Sequence, residues 1–89
     1  MLSQTTTIIN KLGLHARAAS KLVNQAGQFE SEIFIDKDGN RVNAKSIMGV
    51  MMLAASQGTE ITIETEGSDE QAALDAVLGL IKNRFDEAE

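Results

Sequence analysis

The stretch Glu60-Ile61-Thr62-Ile63-Glu64-Thr65-Glu66, followed by Gly67-Ser68-Asp69-Glu70-Gln71, decides the fold of this chain. Its first seven residues alternate polar and apolar side chains, which predicts a strand with one face on a core and the other in water. Ile61 and Ile63 belong to the core face. The polar run that follows predicts a capping box opened by Ser68, and therefore a helix immediately after the strand.

The other elements follow outward from this stretch. Residues 5–9 are mostly β-branched and predict a first strand, and the apolar spacing from Ala16 predicts a helix that ends at Gly27. Residues 31–37 and 40–44 predict a hairpin around the turn dipeptide Asp38-Gly39. Residues 47–55 predict a short, mostly buried helix. The last helix carries an apolar stripe formed by Ala73, Ala76, Val77, Leu80, Ile81 and Phe85.

The predicted order is therefore β-α-β-β-α-β-α. Four strands with helices inserted between them fit an α+β domain, in which helices cover one face of a single four-stranded antiparallel sheet. The open face of that sheet would be wet, which explains the alternating glutamates of the last strand.

Length and composition restrict the class of protein. Eighty-nine residues are enough for a single domain, spanning residues 1–89. The chain has no cysteine and one histidine, so we expect no disulfide, no metal site and no bound cofactor. No apolar run is long enough to span a membrane, and no signal peptide is apparent, so we expect a cytoplasmic protein without membrane insertion.

The net charge of −5 is unevenly distributed. Residues 1–45 contain two more bases than acids, whereas residues 46–89 contain seven more acids than bases. A nucleic-acid-binding domain would be basic and would carry aromatic side chains on its open sheet, so we expect no nucleic-acid partner. The basic half predicts an acidic protein partner.

The candidate site lies at the start of the first predicted helix, in Gly13-Leu14-His15-Ala16-Arg17-Ala18. Imidazole is nucleophilic when neutral and titrates near physiological pH. At a helix start it lies beside unpaired amides and the positive end of the helix dipole, which together bind anions. The Arg17 guanidinium adds paired donors for the same oxygens. These features indicate transient phosphorylation of His15, although a lone histidine in this position is also a common helix cap.

Two motifs resemble one known family. Lys11-Leu12-Gly13-Leu14-His15-Ala16-Arg17 and Lys45-Ser46-Ile47-Met48-Gly49-Val50-Met51 are similar to HPr, the histidine-containing phosphocarrier of the bacterial phosphoenolpyruvate:sugar phosphotransferase system. The resemblance covers essentially the whole chain and implies an open-faced β-sandwich with three helices. It implies that His15 accepts a phosphoryl group on Nδ1 from enzyme I and passes it to enzyme IIA domains. Such a protein is a carrier rather than a turnover enzyme.

The resemblance also assigns roles to neighbouring residues. It implies that Arg17 neutralises the phosphate, with the amides of Ala16 and Arg17 as further donors, and that HPr kinase/phosphorylase phosphorylates Ser46. Ser46 is independently a suitable N-cap for the helix from Ile47. We expect exposed parts of the first two helices to contact protein partners, and the candidate contact residues are Arg17, Ser20, Lys21, Ile47, Met48 and Met51. We expect a monomer.

One position departs from the family pattern, because Ala18 stands where the family usually has proline. This leaves the branch of the family open. A nitrogen-related paralogue with the same chemistry is one alternative, and a regulatory adaptor that acts through Ser46 is another. An adaptor would not need the His15 and Arg17 pair, which this chain retains.

Overall fold

The structure, a computed structural model, describes residues 1–88 and has the predicted element order. The strands are β1 (Leu2–Thr7), β2 (Glu32–Lys37), β3 (Asn40–Asn43) and β4 (Glu60–Glu66). The helices are α1 (Ala16–Ala26), α2 (Ile47–Met52) and α3 (Glu70–Lys82), and a 3₁₀ turn follows at Arg84–Asp86. The predicted α+β open-faced sandwich is confirmed.

The four strands form one antiparallel sheet in the order β1-β4-β2-β3. Residues 60–66 form a central strand, and Ile61 and Ile63 face the core as the alternation predicts, with Thr65 buried on the same face. Asp38 and Gly39 adopt φ values of 51° and 85°, the paired left-handed conformation of a type I′ hairpin turn.

The open face of the sheet is polar and internally paired. Arg41 Nε lies 2.8 Å from Glu64 Oε1, and the Arg41 guanidinium lies 3.7 Å from the centre of the Phe34 ring. These contacts cover part of the apolar surface of Phe34 and neutralise one acid of β4. The wet face predicted from the glutamates is therefore present.

The core lies between the sheet and the helices. It consists of isoleucine side chains from the sheet, alanines and Leu22 from α1, and aliphatic side chains from α3. The buried members with almost no exposed surface include Ile8, Leu22, Ile33, Ile35, Ile61, Ile63, Val50, Val77, Ile81 and Phe85. Ala18, Ala19 and Ala26 are fully buried on α1, which packs against α2 and α3.

Helix α2 differs from its prediction in length and burial. It ends at Met52 rather than at residue 55, and only Val50 within it is buried. A helix of six residues packs one face, and the Met48 and Met52 side chains are 70% and 78% exposed. Leu53 and Ala55, which we expected in the helix, are buried in the segment after it. The predicted burial of this helix is wrong, because its short stripe contains one core residue.

The start and end of α3 also differ from prediction. The N-cap is Asp69, not Ser68, and its carboxylate makes no cap hydrogen bond. It accepts instead from the amides of Glu30 and Ser31 at 3.0 and 2.9 Å, and from the Ser31 hydroxyl. The predicted capping box opened by Ser68 is therefore wrong. The Asp69 carboxylate instead joins the α1–β2 loop to the start of α3. Phe85 is a core residue as expected, but it lies in the 3₁₀ turn beyond the helix.

Candidate functional site

The loop before α1 presents His15 at the helix N-terminus. Gly13 has a φ of +66°, and a Cβ there would lie 2.5 Å from the carbonyl oxygen of Ala55. This close approach lets the Leu14 amide donate to the same oxygen at 2.8 Å. The next residue, His15, is an extended N-cap with φ −75° and ψ 177°. The glycine of the motif is thus required by the backbone packing that places the histidine.

The two ring nitrogens of His15 have different partners. Nδ1 accepts a hydrogen bond from the Arg17 amide, with a nitrogen–nitrogen distance of 3.3 Å. Nε2 contacts Oε2 of Glu87 in a close charge-assisted pair. Because Nδ1 accepts a hydrogen bond and Nε2 faces a carboxylate, the two contacts fit one tautomer, with the proton on Nε2 and the lone pair on Nδ1. The side chain is 28% exposed, so the ring is accessible from solvent.

Glu87 is held by more than the histidine. Its Oε1 accepts from Asn10 Nδ2 at 3.1 Å, and Asn10 is fully buried. The hydrogen bond with His15, and secondarily that with Asn10, holds the pKa of the Glu87 carboxyl below its ordinary value, against the opposing effect of burial. Glu87 is therefore an anion beside the imidazole at neutral pH.

Arg17 projects from the first turn of α1 beside this pair. Among residues 1–88, its guanidinium makes no hydrogen bond or ion pair, and the side chain is exposed. The first hydrogen bond of α1 runs from the Ala19 amide to the His15 carbonyl at 2.8 Å. The amides of Ala16, Arg17 and Ala18 therefore have no backbone acceptor within the helix, and that of Arg17 donates to His15 Nδ1 instead. Together with Lys11 and Lys21, His15, Ala16, Arg17 and Glu87 line one shallow groove.

Ser46 is the N-cap of α2, as expected from the sequence. Its Oγ accepts from the Gly49 amide at 3.2 Å, and the residue is exposed. The neighbouring Lys45 donates through Nζ to the Phe29 carbonyl at 2.7 Å, so its charge is directed away toward the α1–β2 loop. The hydroxyl therefore has both a structural role and access to solvent.

The candidate partner contacts lie on two helices that pack against each other, α1 and α2. Arg17 and Ser20 are exposed on α1, and Ile47, Met48 and Met51 are exposed on α2. Leu12 and Met52, which were not predicted as contact residues, also expose most of their apolar surface. Lys21 differs from the rest, because its Nζ donates to the Phe85 carbonyl at 2.8 Å. It holds the C-terminal turn as well as lining the groove.

Two residues of the site, Asn10 and Glu87, were not predicted from the sequence. Nothing in the local sequence of Asn10 indicates burial. Glu87 contacts a histidine 72 positions away in the chain. The only available signal was Phe85, an aromatic residue near the C-terminus that indicates a docked segment.

The fold and the site define a class of protein: a small open-faced sandwich that presents one histidine at a helix N-terminus. Within residues 1–88, no group of three or more metal-binding side chains is present, and no helix is long and apolar enough to cross a membrane.

Comparison with known proteins identifies the family. Residues 2–83 match the family model described as the phosphotransferase-system HPr component phosphorylation site. Phosphocarrier protein HPr of Cupriavidus necator is 61% identical over 89 residues, which cover all of both chains. The crystal structure of HPr-C-His from Thermoanaerobacter tengcongensis is 46% identical, with a TM-score of 0.97 over the whole of both chains. An HPr dimer structure from the same organism is 47% identical, with a TM-score of 0.79, covering 98% of this chain and all of that one.

The chain belongs to the HPr family of phosphocarriers of the phosphotransferase system. This confirms the resemblance drawn from the two sequence motifs.

Proposed function

We propose that His15 is the phosphoryl acceptor and that the donor is phosphorylated enzyme I. The single observation that carries this proposal is the differing environment of the two ring nitrogens. Nε2 is engaged by Glu87, whereas Nδ1 faces one amide across 3.3 Å and keeps a lone pair for attack. In the transfer, Nδ1 forms a bond to phosphorus as the bond between phosphorus and the donor breaks, with that electron pair returning to the donor.

Arg17 and the first-turn amides stabilise the transferred group. Phosphoryl transfer depends mainly on positioning and on neutralising charge spread over the phosphate oxygens. The exposed Arg17 guanidinium supplies a planar pair of donors, and the amide of Ala16 supplies another. The exposed Arg17 guanidinium and a few amides form a modest cradle, which suits a carrier that must deliver the group to a histidine of an enzyme IIA domain.

Incubation with phosphoenolpyruvate, magnesium and enzyme I tests the acceptor role. We expect intact-mass measurement to show one acid-labile phosphate, and we expect it to be absent in His15→Ala. The matched control is Ser46→Ala, which alters the other candidate site and should retain the label. An enzyme I that phosphorylates a known HPr but leaves this chain unlabelled would overturn the proposal.

A second phosphorylation at Ser46, by HPr kinase/phosphorylase, would regulate docking. The support is an exposed cap hydroxyl on the same helix as Ile47, Met48 and Met51, which form the apolar part of the candidate partner surface. Phosphate would stay compatible with the helix start but would add up to two negative charges beside a surface meant for acidic partners. We expect Ser46→Asp to raise the apparent KM of enzyme I for this protein with little change in fold, and Ser46→Ala to leave it unchanged. An unchanged KM in Ser46→Asp would contradict this regulation.

The sugar branch is the favoured assignment, and the relatives named Phosphocarrier protein HPr support it. We propose a monomer that acts in the cytoplasm, with no membrane or nucleic-acid partner. One related structure is an HPr dimer, so the oligomeric state requires a direct measurement. Sedimentation equilibrium across a concentration series is expected to give a single monomer mass, and a concentration-dependent dimer would contradict it.

A further inference from the structure

The C-terminal turn carries a carboxylate to the candidate phosphoryl acceptor. Arg84, Phe85 and Asp86 adopt φ values of 54°, 53° and 63°, a left-handed run that reverses the chain after α3. The Phe85 ring is fully buried, and its carbonyl accepts from Lys21 Nζ at 2.8 Å. These contacts fix the residue that follows the turn, Glu87, over the α1 N-terminus.

Both carboxylate oxygens of Glu87 are engaged. Oε2 contacts His15 Nε2, and Oε1 accepts from Asn10 Nδ2 at 3.1 Å. The second hydrogen of that Asn10 amide is directed to the Gly13 carbonyl at 2.8 Å, so the buried amide links Glu87 to the loop that presents the histidine. The Glu87 side chain is only 15% exposed. A buried bridge and low exposure distinguish this arrangement from a surface ion pair, which has little geometric definition.

We infer that Glu87 is a positioning residue for His15, which keeps the imidazole proton on Nε2 and leaves the lone pair on Nδ1. The inference rests on the proposed acceptor role of His15 and extends it to a residue outside both sequence motifs. A carboxylate that accepts a hydrogen bond from one imidazole nitrogen fixes the orientation of the ring and keeps the proton on that nitrogen, so the other nitrogen keeps its lone pair. The amide of Arg17, which donates to Nδ1, favours the same tautomer from the opposite side.

The proton on Nε2 stays in place throughout the transfer. When the Nδ1 lone pair bonds to phosphorus, the bond between phosphorus and the donor breaks, that electron pair stays with the donor, and the imidazole acquires a positive charge. Nε2 keeps its hydrogen, and the negative charge of Glu87 lies against the new cation. On delivery, the Nδ1–phosphorus electron pair returns to Nδ1, and the ring becomes neutral in the same tautomer. No proton has to enter or leave at either step.

A rival interpretation is that Glu87 obstructs His15 and lowers its reactivity. The two interpretations predict opposite changes in rate when the carboxylate is removed. Under the positioning role, the rate of phosphoryl acceptance falls, because part of the population carries the proton on Nδ1 and the cation loses its partner. Under obstruction, the rate rises.

Nitrogen NMR on the unphosphorylated protein tests the tautomer directly. His15 is the sole histidine, so a ¹⁵N-labelled sample gives one pair of imidazole nitrogen signals. At a pH of about 9, above the ordinary range of imidazole titration, we expect well-separated signals, with Nδ1 unprotonated and Nε2 protonated. In Glu87→Ala the two signals should move toward each other as the tautomers mix. The matched control is Asp86→Asn, which removes one charge from the same turn and should leave the separation unchanged.

The transfer rate completes the test. We expect Glu87→Ala to accept the phosphoryl group about tenfold more slowly, the scale of one charge-assisted hydrogen bond. Glu87→Gln retains an acceptor oxygen without the charge, so it should keep most of the signal separation and still lose rate. Unchanged nitrogen signals in Glu87→Ala, or a faster reaction, would overturn the inference. If the wild-type protein shows the fixed tautomer but is never phosphorylated, the proposed acceptor role fails, and the NMR result still stands.

Discussion

Replacing Phe85 by alanine should detach the C-terminal turn while the rest of the fold survives. Three consecutive non-glycine residues in the left-handed region cost about 1 kcal/mol each, or about 3 kcal/mol for the turn. Burial of the Phe85 ring contributes about 2–3 kcal/mol in the opposite direction. The segment accepts three hydrogen bonds, from Lys21 Nζ at the Phe85 carbonyl and from His15 and Asn10 at the Glu87 carboxylate, and these add about 1 kcal/mol each. The net free energy of docking is therefore about 2–3 kcal/mol, and without the ring the remaining contacts only balance the strain.

This balance limits the loss of global stability. A Phe→Ala change in a rigid core costs about 3–5 kcal/mol because a cavity remains. Here the turn can leave instead, which releases the left-handed strain, so we expect the free energy of unfolding to fall by about 2 kcal/mol. For a domain of this size, that corresponds to a decrease in Tm of roughly 8–16 °C.

Urea denaturation and amide hydrogen exchange separate the two effects. We expect fast exchange at residues 84–87 in Phe85→Ala, with protection kept in α1 and α3. Phe85→Leu is the matched control, since a nearly volume-conserving change should cost less than about 1.5 kcal/mol and keep the turn docked. A loss above 4 kcal/mol with the turn amides still protected would refute the strain argument. Unchanged stability and unchanged exchange would refute the anchoring role of the ring.

Three further changes test separate parts of the fold. Gly67→Ala should lower the free energy of unfolding by about 2 kcal/mol or more, because the φ of Gly67 is +151° and a Cβ would lie 2.7 Å from the Ser31 Cα. Gly79→Ala, at a helical position where a Cβ meets no other atom, should instead raise it by about 1 kcal/mol. Equal effects of the two changes in urea denaturation would contradict the geometry. Ala18→Pro should change the free energy of unfolding by less than about 1 kcal/mol and leave the rate of phosphoryl acceptance within about twofold, because the Ala18 amide precedes the first helical hydrogen bond. A decrease of more than about 2 kcal/mol in the free energy of unfolding would show that the buried surroundings of Ala18 cannot accommodate the proline ring. The pKa of Asp69 is lowered, chiefly by the Ser31 hydroxyl, so its stabilising contribution should be complete above the ordinary value of 3.8 and lost as the pH falls through the lower folded value. Denaturation between pH 7 and 3 should show this loss in the wild type and a smaller one in Asp69→Asn, and equal pH dependence would count against it.

Local signals were sufficient for most of the fold. The alternation in β4, the Asp38-Gly39 turn and the spacing in α1 each depend on residues close in sequence, and all three predictions were confirmed. The position of His15 as an N-cap was predictable for the same reason. The motif lies in a short loop before a regular helix, so its geometry follows from local backbone preferences.

Contacts between distant segments were not predictable from local patterns. Asp69 has the sequence signature of a helix start, but its carboxylate serves the backbone of residues 30 and 31 across a separation of 38–39 positions. The left-handed run at Arg84–Asp86 has no glycine to mark it. Its conformation is imposed by burial of Phe85 in a core built from the whole chain, and the contact of Glu87 with His15 depends on that turn.

Nδ1 accepts one hydrogen bond from the Arg17 amide at 3.3 Å, whereas Nε2 is paired with the Glu87 carboxylate. This difference suits a carrier better than a catalyst that retains its intermediate. A phosphoryl group on Nδ1 would meet one exposed guanidinium and a few helix amides, so little binding energy would oppose its departure. With the group on Nδ1, the negative charge of Glu87 would stabilise the cationic ring and also repel the phosphate oxygens, and both effects would disappear together when the group is delivered. If His15 carries the group as proposed, its environment favours attack in one direction and release in the other without any movement of a proton. A buried cation in place of Glu87 would lose both effects, because it would disfavour the charged ring and retain the phosphate.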